Sequence, residues 1–300
     1  LVSIALIVLF FIGAATFSIV NKNIALEKMD SFEFNQAVEI FDRIPYGNAF
    51  FPDEYKYIAA AELVVKKEFD AAKNAFELLG DYRESKPAMR EVIYQKGLYE
   101  ISNGNFTEAS DEFSTIKDYR DAETQEQYAR YLNASELSEA GQFDESLRLL
   151  FDLVHEDYEP AKQLIVDVSL LKAQKLASQE SFGVAYETLE KVKDFGDVNA
   201  QLIYYRDEAY RKGVSLYHKK SFRDAKSQFK PIGNYQDSED YLKLINIHLH
   251  STSYFNIDPI VELIGFEDAS ELLLRDTAVA WEYLLTMWRA DGCHLNIEKK

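Results

Sequence analysis

One alanine-centred pattern recurs six times along the chain at intervals of 35 to 40 residues, and it restricts the possible fold more than any other feature. In each copy a phenylalanine stands three residues before a small residue, and large apolar residues stand four and seven residues after it. The small residues are Ala37, Ala72, Ala109, Ser146, Ala185 and Ala225, and the phenylalanines are Phe34, Phe69, Phe106, Phe143, Phe182 and Phe222. Because offsets of −3, 0, +4 and +7 fall on one helix face, the pattern predicts one amphipathic helix per copy.

A second small residue precedes the first by twelve positions in every copy. These residues are Ala25, Ala60, Gly97, Ala134, Ala173 and Gly213. Turn-forming residues lie between the two positions, as in Asn103-Gly104-Asn105 and Gly141-Gln142, so each copy is predicted to be a hairpin of two helices. Such a hairpin cannot bury its apolar face alone and must stack on its neighbours. We therefore predict an all-α chain with an α-solenoid of about six hairpins over residues 22–250.

An aromatic residue and an acidic residue close most copies, ten and twelve positions after the small residue. The aromatic residues are Tyr82, Tyr119, Phe195 and Tyr235, and the acidic residues are Glu84, Asp121, Asp197 and Asp237. An acidic side chain just before a helix can accept its free backbone N–H groups and favours the positive end of its dipole. We interpret the motif as a junction between hairpins, because a catalytic group is needed only once.

The unit resembles the tetratricopeptide repeat (TPR) family, whose copies are paired helices of about 34 residues. The resemblance covers Ala25 to Leu249 and is carried by the small residue of the first helix, the aromatic-x-x-Ala start of the second, and Pro160. The longer period, the "DY-x-D" ending and the absence of a first-helix tryptophan depart from the family. The chain is most similar to bacterial membrane-anchored TPR-like proteins with "GDYKDS"-type junctions. This resemblance implies a right-handed superhelix whose first helices line a groove for peptides or proteins.

Four tyrosines are the candidate partner-binding residues. Tyr57, Tyr94, Tyr131 and Tyr210 each stand three residues before the small first-helix position, where the resemblance implies a face towards the groove. Aromatic side chains offer flat contacts at interfaces. The alternative is that these rings pack between adjacent hairpins, and the period alone does not separate the two faces. Three lysines form a weaker set that we expect to be solvated. They are Lys96, Lys172 and Lys212.

The first 20 residues carry no charge, and as a helix they would be about 30 Å long, which is the thickness of a bilayer's hydrocarbon core. We predict a single-pass transmembrane anchor over residues 1–21. A cleaved secretory signal is the alternative, with Gly13, Ala14 and Ala15 as the cleavage region. We expect the repeat domain to be extracytoplasmic, although the charges around Lys22 and Lys28 do not set the orientation. Because Leu1 is not a methionine, we expect that residues precede it.

Composition argues against several classes of function. A net charge of −18 disfavours nucleic acid as a partner, because phosphates would be repelled. The single cysteine, Cys293, cannot form an internal disulfide or a cysteine cluster. His248 and His250 are two residues apart, a poor spacing for metal ligands on a helix. No nucleophile motif or phosphate-binding loop is present, so we predict no catalytic residues, no metal and no cofactor.

The repeat pattern stops after Tyr254, and residues 251–300 are predicted to hold short helices followed by the start of a β-hairpin. Asp291-Gly292 precedes the alternating residues Cys293, Leu295 and Ile297, which is a strong hairpin signal. An isolated hairpin is marginally stable, so we expect a small β domain to continue past Lys300. The alternative is an element that caps the last repeat.

Three hypotheses of function remain at this point. The first is a membrane-anchored, non-enzymatic scaffold that binds a protein or peptide through the repeats. The second is a spacer or regulatory arm for a ligand-binding or catalytic domain beyond residue 300. The third is self-association of the repeat array through its acidic and apolar faces.

Overall fold

The computed structural model describes residues 2–250, and this part of the chain is helical with no β-strand. In chain order the helices are α1 (Val2–Asp30), α2 (Phe34–Phe41), α3 (Gly47–Phe50), α4 (Pro52–Val65), α5 (Phe69–Leu79), α6 (Ser85–Asn103), α7 (Phe106–Ser114), α8 (Ala122–Glu139), α9 (Phe143–His155), α10 (Pro160–Ser178), α11 (Phe182–Glu190), α12 (Asn199–His218), α13 (Phe222–Ile232) and α14 (Ser238–His250). The all-helical prediction is confirmed for these residues. The predicted C-terminal helices and β-hairpin, including Cys293, lie outside them.

The phenylalanine of the repeat pattern marks a helix start in all six copies. The second helices α2, α5, α7, α9, α11 and α13 begin at Phe34, Phe69, Phe106, Phe143, Phe182 and Phe222. The chain divides into two compact units, residues 1–136 and 137–300. Within the first unit, α1, α2, α4, α5, α6 and α7 each pack on the next helix of that series. In the second unit each helix from α9 to α13 packs on the next helix in the chain, and α11 also contacts α13. The packing is therefore repeat-like in each unit.

A ring of the second helix packs directly on the small residue of the first helix. A Cβ added to Gly97 would lie 2.6 Å from Cζ of Phe113, and one added to Gly213 would lie 2.7 Å from the ring of Phe229. Both rings are fully buried. The small position exists because a larger side chain would occupy the volume of this ring. Sixteen residues separate the two members of each pair.

Each hairpin turn contains one residue in the left-handed region, five positions before the small residue of the second helix. These residues are Phe32, Lys67, Gly104, Gly141, Glu180 and Lys220, with φ between 58° and 81°. The next backbone N–H bonds to the carbonyl five residues earlier, as from Asn105 to Glu100 at 2.9 Å. This is the Schellman arrangement that closes a helix C-terminus. Only two of the six turns use glycine here, so the sequence signal for the turn was incomplete.

The N-terminal apolar helix and the first repeat helix are the same helix. From Ile4 to Val20 its described large apolar side chains are exposed, whereas Ala25, Leu26 and Met29 are buried in the core of the first hairpin. The stretch from Leu6 to Asp30 is long and apolar enough to cross a membrane, and its apolar window is not buried in the protein. The predicted apolar N-terminal helix is therefore confirmed as an element.

In the second unit a glutamine caps a neighbouring helix across the packing interface. The buried Gln228 of α13 accepts the backbone N–H of Gly183 at 3.0 Å and donates to the carbonyl of Glu180 at 3.0 Å. A Cβ on Gly183 would lie 2.6 Å from the carbonyl oxygen of Ser227, so glycine permits this close approach of α11 and α13.

We predict that Gln228→Leu lowers the free energy of unfolding by about 1–3 kcal/mol, because a buried N–H and a buried carbonyl lose their partners. Urea unfolding of the purified chain in detergent, followed by circular dichroism, measures the change. The adjacent exposed substitution Ser227→Ala is the control and should change stability by less than about 0.5 kcal/mol. Equal effects of the two substitutions would contradict the capping role.

Candidate functional site

Three of the four candidate tyrosines lie at the packing surfaces of their hairpins. Tyr57 is fully buried and Tyr94 is 9% exposed, while Tyr131 and Tyr210 are partly buried. The rings of Tyr57, Tyr94 and Tyr210 contact the phenylalanine of the second helix edge-on, with centroid distances of 5.8 Å to Phe76, 5.7 Å to Phe113 and 6.0 Å to Phe229. This is the packing alternative that the sequence left open. The geometry gives no support to Tyr57 as a contact for a partner.

A second ring, from the junction motif, completes an aromatic triad in three hairpins. The centroid distances from the first-helix tyrosine to the junction tyrosine are 5.6 Å for Tyr57–Tyr82, 6.0 Å for Tyr94–Tyr119 and 6.0 Å for Tyr210–Tyr235. All three contacts are edge-to-face. This geometry is favourable for aromatic pairs and adds about 0.5–1.5 kcal/mol beyond the area buried.

In two of these hairpins, tyrosine hydroxyl groups bond to acidic side chains, whereas the buried Tyr57 hydroxyl has no hydrogen-bond partner among the residues that the structure describes. The Tyr94 hydroxyl donates to Asp121 Oδ1 at 2.6 Å, and the Tyr119 hydroxyl donates to Glu91 Oε2 at 2.8 Å. In another hairpin the Tyr235 hydroxyl donates to Asp207 at 2.7 Å. The junction acid Asp121 thus pairs with the first-helix tyrosine Tyr94. The junction tyrosines Tyr119 and Tyr235 pair with an acid that stands three residues before the first-helix tyrosine.

Sequence reasoning missed the second acid of this arrangement. It stands eighteen residues before the small residue of the second helix, as Glu54, Glu91 and Asp207 do in the three hairpins with a junction tyrosine. It stands three positions before the first-helix tyrosine, so this recurring acid–tyrosine spacing was present in the sequence. It lay outside the apolar stripe on which the repeat was aligned.

The junction acids differ from the capping role that the sequence predicted. Glu84 makes no side-chain hydrogen bond to the start of α6, so that prediction is wrong for this residue. Asp121 accepts hydrogen bonds from the Tyr94 hydroxyl and from Gln125 Nε2. Asp197 does accept the backbone N–H of Asn199 at 3.1 Å, as a cap should. A cap is therefore one use of this position, and an acceptor for tyrosine is another.

Glu91 is a buried carboxylate with several partners. It accepts hydrogen bonds from Tyr119 and from Gln95, and Arg120 Nη2 lies 2.9 Å from its Oε2. The Arg120 guanidinium also lies over the rings of Tyr94 and Tyr119, 5.2 and 5.3 Å from their centroids. A buried charge is tolerated when it is paired and hydrogen-bonded in this way. The cluster is a structural clamp, and its groups already have partners inside the protein.

The three lysines expected to be solvated instead form ion pairs with the preceding hairpin. The pairs are Lys96–Asp70, Lys172–Asp144 and Lys212–Glu180. Lys96 also lies 2.7 Å from Glu112, and each lysine side chain is less than a third exposed. Such surface pairs contribute about 0–1 kcal/mol each, so their main effect is to align successive hairpins.

The open surface of the first unit contains a groove that we call the turn groove. Its volume is about 460 Å³, and it lies between the first two hairpin turns and α6. It is lined by Phe32, Glu33, Phe34, Asn35, Gln36, Val64, Val65, Lys67, Phe69, Gln95, Leu98 and Tyr99. Val65 is 40% exposed and Leu98 is 38% exposed, although both are apolar. Side-chain amides of Asn35, Gln36 and Gln95 stand beside these apolar groups, a mixture typical of ligand sites.

An equivalent but smaller groove of about 360 Å³ lies in the second unit, between the start of α9 and the end of α10. Lysine heads occupy part of its wall, and Lys175 Nζ is 5.4 Å from the ring centroid of Phe143. Across residues 2–250, no group of three or more His, Cys, Asp or Glu side chains is placed to hold a metal ion. Comparison of the chain with protein-family models, with curated proteins and with solved structures finds no match.

We predict that Tyr94→Phe destabilises the protein by about 1–1.5 kcal/mol, because the hydroxyl bond to Asp121 is lost. Asp121→Ala should cost a similar amount, and the double variant should show a coupling energy of about 1 kcal/mol. Chemical unfolding of the four proteins provides this cycle. Tyr128→Phe is the control, since this ring is 41% exposed and its change should stay within about 0.5 kcal/mol. Additive effects of Tyr94→Phe and Asp121→Ala would show that the bond does not stabilise the fold.

Alkaline pH should weaken the same clamp. Burial and the hydrogen bond to Asp121 raise the pKa of Tyr94 from 10.0 to about 12, and burial with the bond to Glu91 raises the pKa of Tyr119 to about 12. From about pH 10, where tyrosines of the unfolded chain ionise, to about pH 12, the folded protein holds more protons than the unfolded chain. The free energy of unfolding therefore falls as the pH rises through this range. Tyrosinate absorbance and circular dichroism during a pH titration should change together above pH 10. Ionisation of Tyr94 and Tyr119 with the ordinary tyrosine pKa near 10, with helicity retained, would contradict this prediction.

Proposed function

We propose that the chain is a membrane-anchored, non-enzymatic scaffold that binds a protein or peptide through a TPR-like α-solenoid. The observation that carries the proposal is the continuity of α1. Its uncharged part from Val2 to Val20 would be about 28 Å long, close to the thickness of the hydrocarbon core. The same helix then supplies Ala25, Leu26 and Met29 to the first hairpin.

The anchor and the first hairpin would then move as one body. No glycine or proline occurs between Ala14 and Asp30, so no residue of this stretch favours a break in α1. Asp30 at the end of α1 accepts a hydrogen bond from Arg83 Nε at 3.1 Å, which ties α1 to the next junction. A rigid connection of this kind suits a protein that presents a binding surface at a fixed height above a membrane. A flexible linker would suit a tethered enzyme better.

The turn groove is the surface that we assign to the partner. Its volume falls within the range of about 300–1,000 Å³ that is usual for ligand sites. The exposed side chains of Val65 and Leu98 and the ring of Tyr99 offer apolar contacts. The exposed amides of Asn35 and Gln36 offer hydrogen bonds to the backbone of an extended peptide. The clamp tyrosines are not part of this surface, since their hydroxyl groups are already bonded to acids or their rings are buried.

A thiol-directed crosslinking experiment tests the partner and the orientation together. In a Cys293→Ser background, Val65→Cys and Leu98→Cys place a probe in the groove, and Asn74→Cys places one on the exposed face of α5. A membrane-impermeant, photoactivatable thiol reagent is applied to intact cells. We expect all three sites to be labelled from outside, and we expect a crosslinked protein band from the groove sites that Asn74→Cys does not give.

Two results would count against the proposal. Labelling of Asn74→Cys only after permeabilisation would reject the extracytoplasmic orientation, and the crosslinking would then be read in permeabilised cells. The same crosslinked bands from all three sites, or none from the groove sites on either side of the membrane, would reject the turn groove as the partner surface.

A further inference from the structure

The start of α4 lies beside the point where the exposed apolar part of α1 ends. Lys22 Nζ is 3.4 Å from Glu54 Oε1 and 5.1 Å from the ring centroid of Phe51. Lys22 is only two residues past Val20, the last residue of the uncharged stretch. If α1 crosses a bilayer, Phe51 and Glu54 are therefore at the level of its surface.

The connection between α2 and α4 projects exposed aromatic side chains at this level. We call residues 46–55 the aromatic junction; it contains α3 and the first turn of α4. Tyr46 is 77% exposed and Phe50 is 68% exposed, and Tyr55 is also exposed. The segment is nevertheless well formed, because Phe51 N–H bonds to the Gly47 carbonyl at 2.8 Å and Tyr55 N–H bonds to the Phe51 carbonyl at 2.8 Å.

The later junctions of the first unit lack a cluster of exposed aromatic side chains. Residues 80–84 read "GDYRE" and residues 117–121 read "KDYRD", with one partly buried tyrosine and charged neighbours in each. The aromatic junction replaces this with "YGNAFFPDEY". Exposed rings on a soluble surface are unfavourable when they cluster, and such clusters mark contact sites. The change occurs only at the junction adjacent to the apolar helix, among those that the structure describes in this unit.

We propose that the aromatic junction is a second membrane contact, with the rings of Tyr46 and Phe50 in the interfacial layer of the bilayer that α1 crosses. This inference rests on the proposed anchoring by α1. Tyrosine and other aromatic side chains are favoured at the membrane–water interface, where an apolar ring is buried and a polar edge stays hydrated. Lys56 follows the rings on α4, and its side chain is exposed although it pairs with Asp53, so its amine can reach lipid phosphates.

The contact would fix the orientation of the first hairpin on the membrane. One transmembrane helix can tilt and rotate freely, and interfacial anchors remove this freedom. Because α1 continues into the hairpin without a break, a second contact at Phe50 holds the hairpin at one angle to the bilayer. The turn groove would then face a defined direction, away from the lipid surface, since Val65 lies thirteen residues along α4 from Pro52, about 20 Å.

Tryptophan quenching in nanodiscs tests the contact on the full chain. Trp281 and Trp288 are replaced by phenylalanine, and one tryptophan is then introduced as Phe50→Trp, Phe17→Trp or Val65→Trp. The nanodiscs contain phosphatidylcholine brominated near the headgroup end of its acyl chains. Phe17→Trp reports whether α1 is in the bilayer, and Val65→Trp is the matched control at the other end of α4.

We expect on the order of a two-fold loss of fluorescence for Phe50→Trp and for Phe17→Trp, because both rings would lie within the roughly 5–10 Å interfacial layer. Val65→Trp should keep its full intensity. Quenching of Phe17→Trp without quenching of Phe50→Trp would overturn the second contact and leave the anchor in place. A blue-shifted but unquenched Phe50→Trp would do the same and would indicate a protein surface against the ring. Quenching at Val65 as well would show an array lying flat, which also overturns the proposal.

Absence of quenching at Phe17 would overturn the anchoring itself, and this result is distinct from the others. Circular dichroism of each variant in nanodiscs checks that the helices form. If the tryptophan-free background does not fold, a nitroxide on Phe50→Cys in the Cys293→Ser background gives the same reading. Oxygen partitions into the bilayer, so electron paramagnetic resonance should show the nitroxide to be more accessible to oxygen than to a water-soluble relaxation agent. The reverse order would overturn the contact.

Discussion

The contact between a large apolar side chain of the second helix and a small residue of the first is the constraint on which the hairpins depend. At Gly97 and Gly213 there is no room for a Cβ beside Phe113 and Phe229. This contact sets the distance between the two helices and therefore the position of every side chain on their facing sides. The left-handed residue in each turn, such as Lys67, then closes the hairpin at that distance. Close packing of this kind leaves little freedom for sliding between the helices.

The aromatic triads and their acids act at the next level, where one hairpin meets the following one. The Tyr94 ring packs edge-on against both Phe113 and Tyr119, and the hydroxyl groups of Tyr94 and Tyr119 bond to Asp121 and Glu91. Because these polar groups are bonded inside the protein, they stabilise one register of the junction against alternatives. The same bonds withdraw the tyrosines from the surface. What stays available to a partner is the rim of the hairpin turns, where apolar and amide side chains remain exposed.

In the proposed anchoring, α1 would connect the first hairpin to the membrane. The last turns of α1 are a repeat helix, so the first hairpin has the end of the apolar helix as one of its own walls. A hairpin on such a helix differs from one on a flexible stalk. A second contact with the lipid surface would fix the orientation of the hairpin and therefore of the turn groove. The exposed rings of the aromatic junction stand at the place where such a contact would be made. Together, the proposed scaffold and the proposed second contact would hold the turn groove at a fixed height above the bilayer and at a fixed angle to it.

The sequence by itself determined the helices, since the spacing of Phe106, Ala109 and Phe113 is a local property of one helix face and the start of every second helix followed from it. It also determined the uncharged N-terminal stretch, which needs only length and composition. The tertiary structure decided which side of the first helix Tyr94 occupies, because period alone does not distinguish a groove face from a packing face. It decided as well that Glu91 pairs with Tyr119 across 28 residues. Such pairs depend on the distance between two helices, and that distance is a property of their packing.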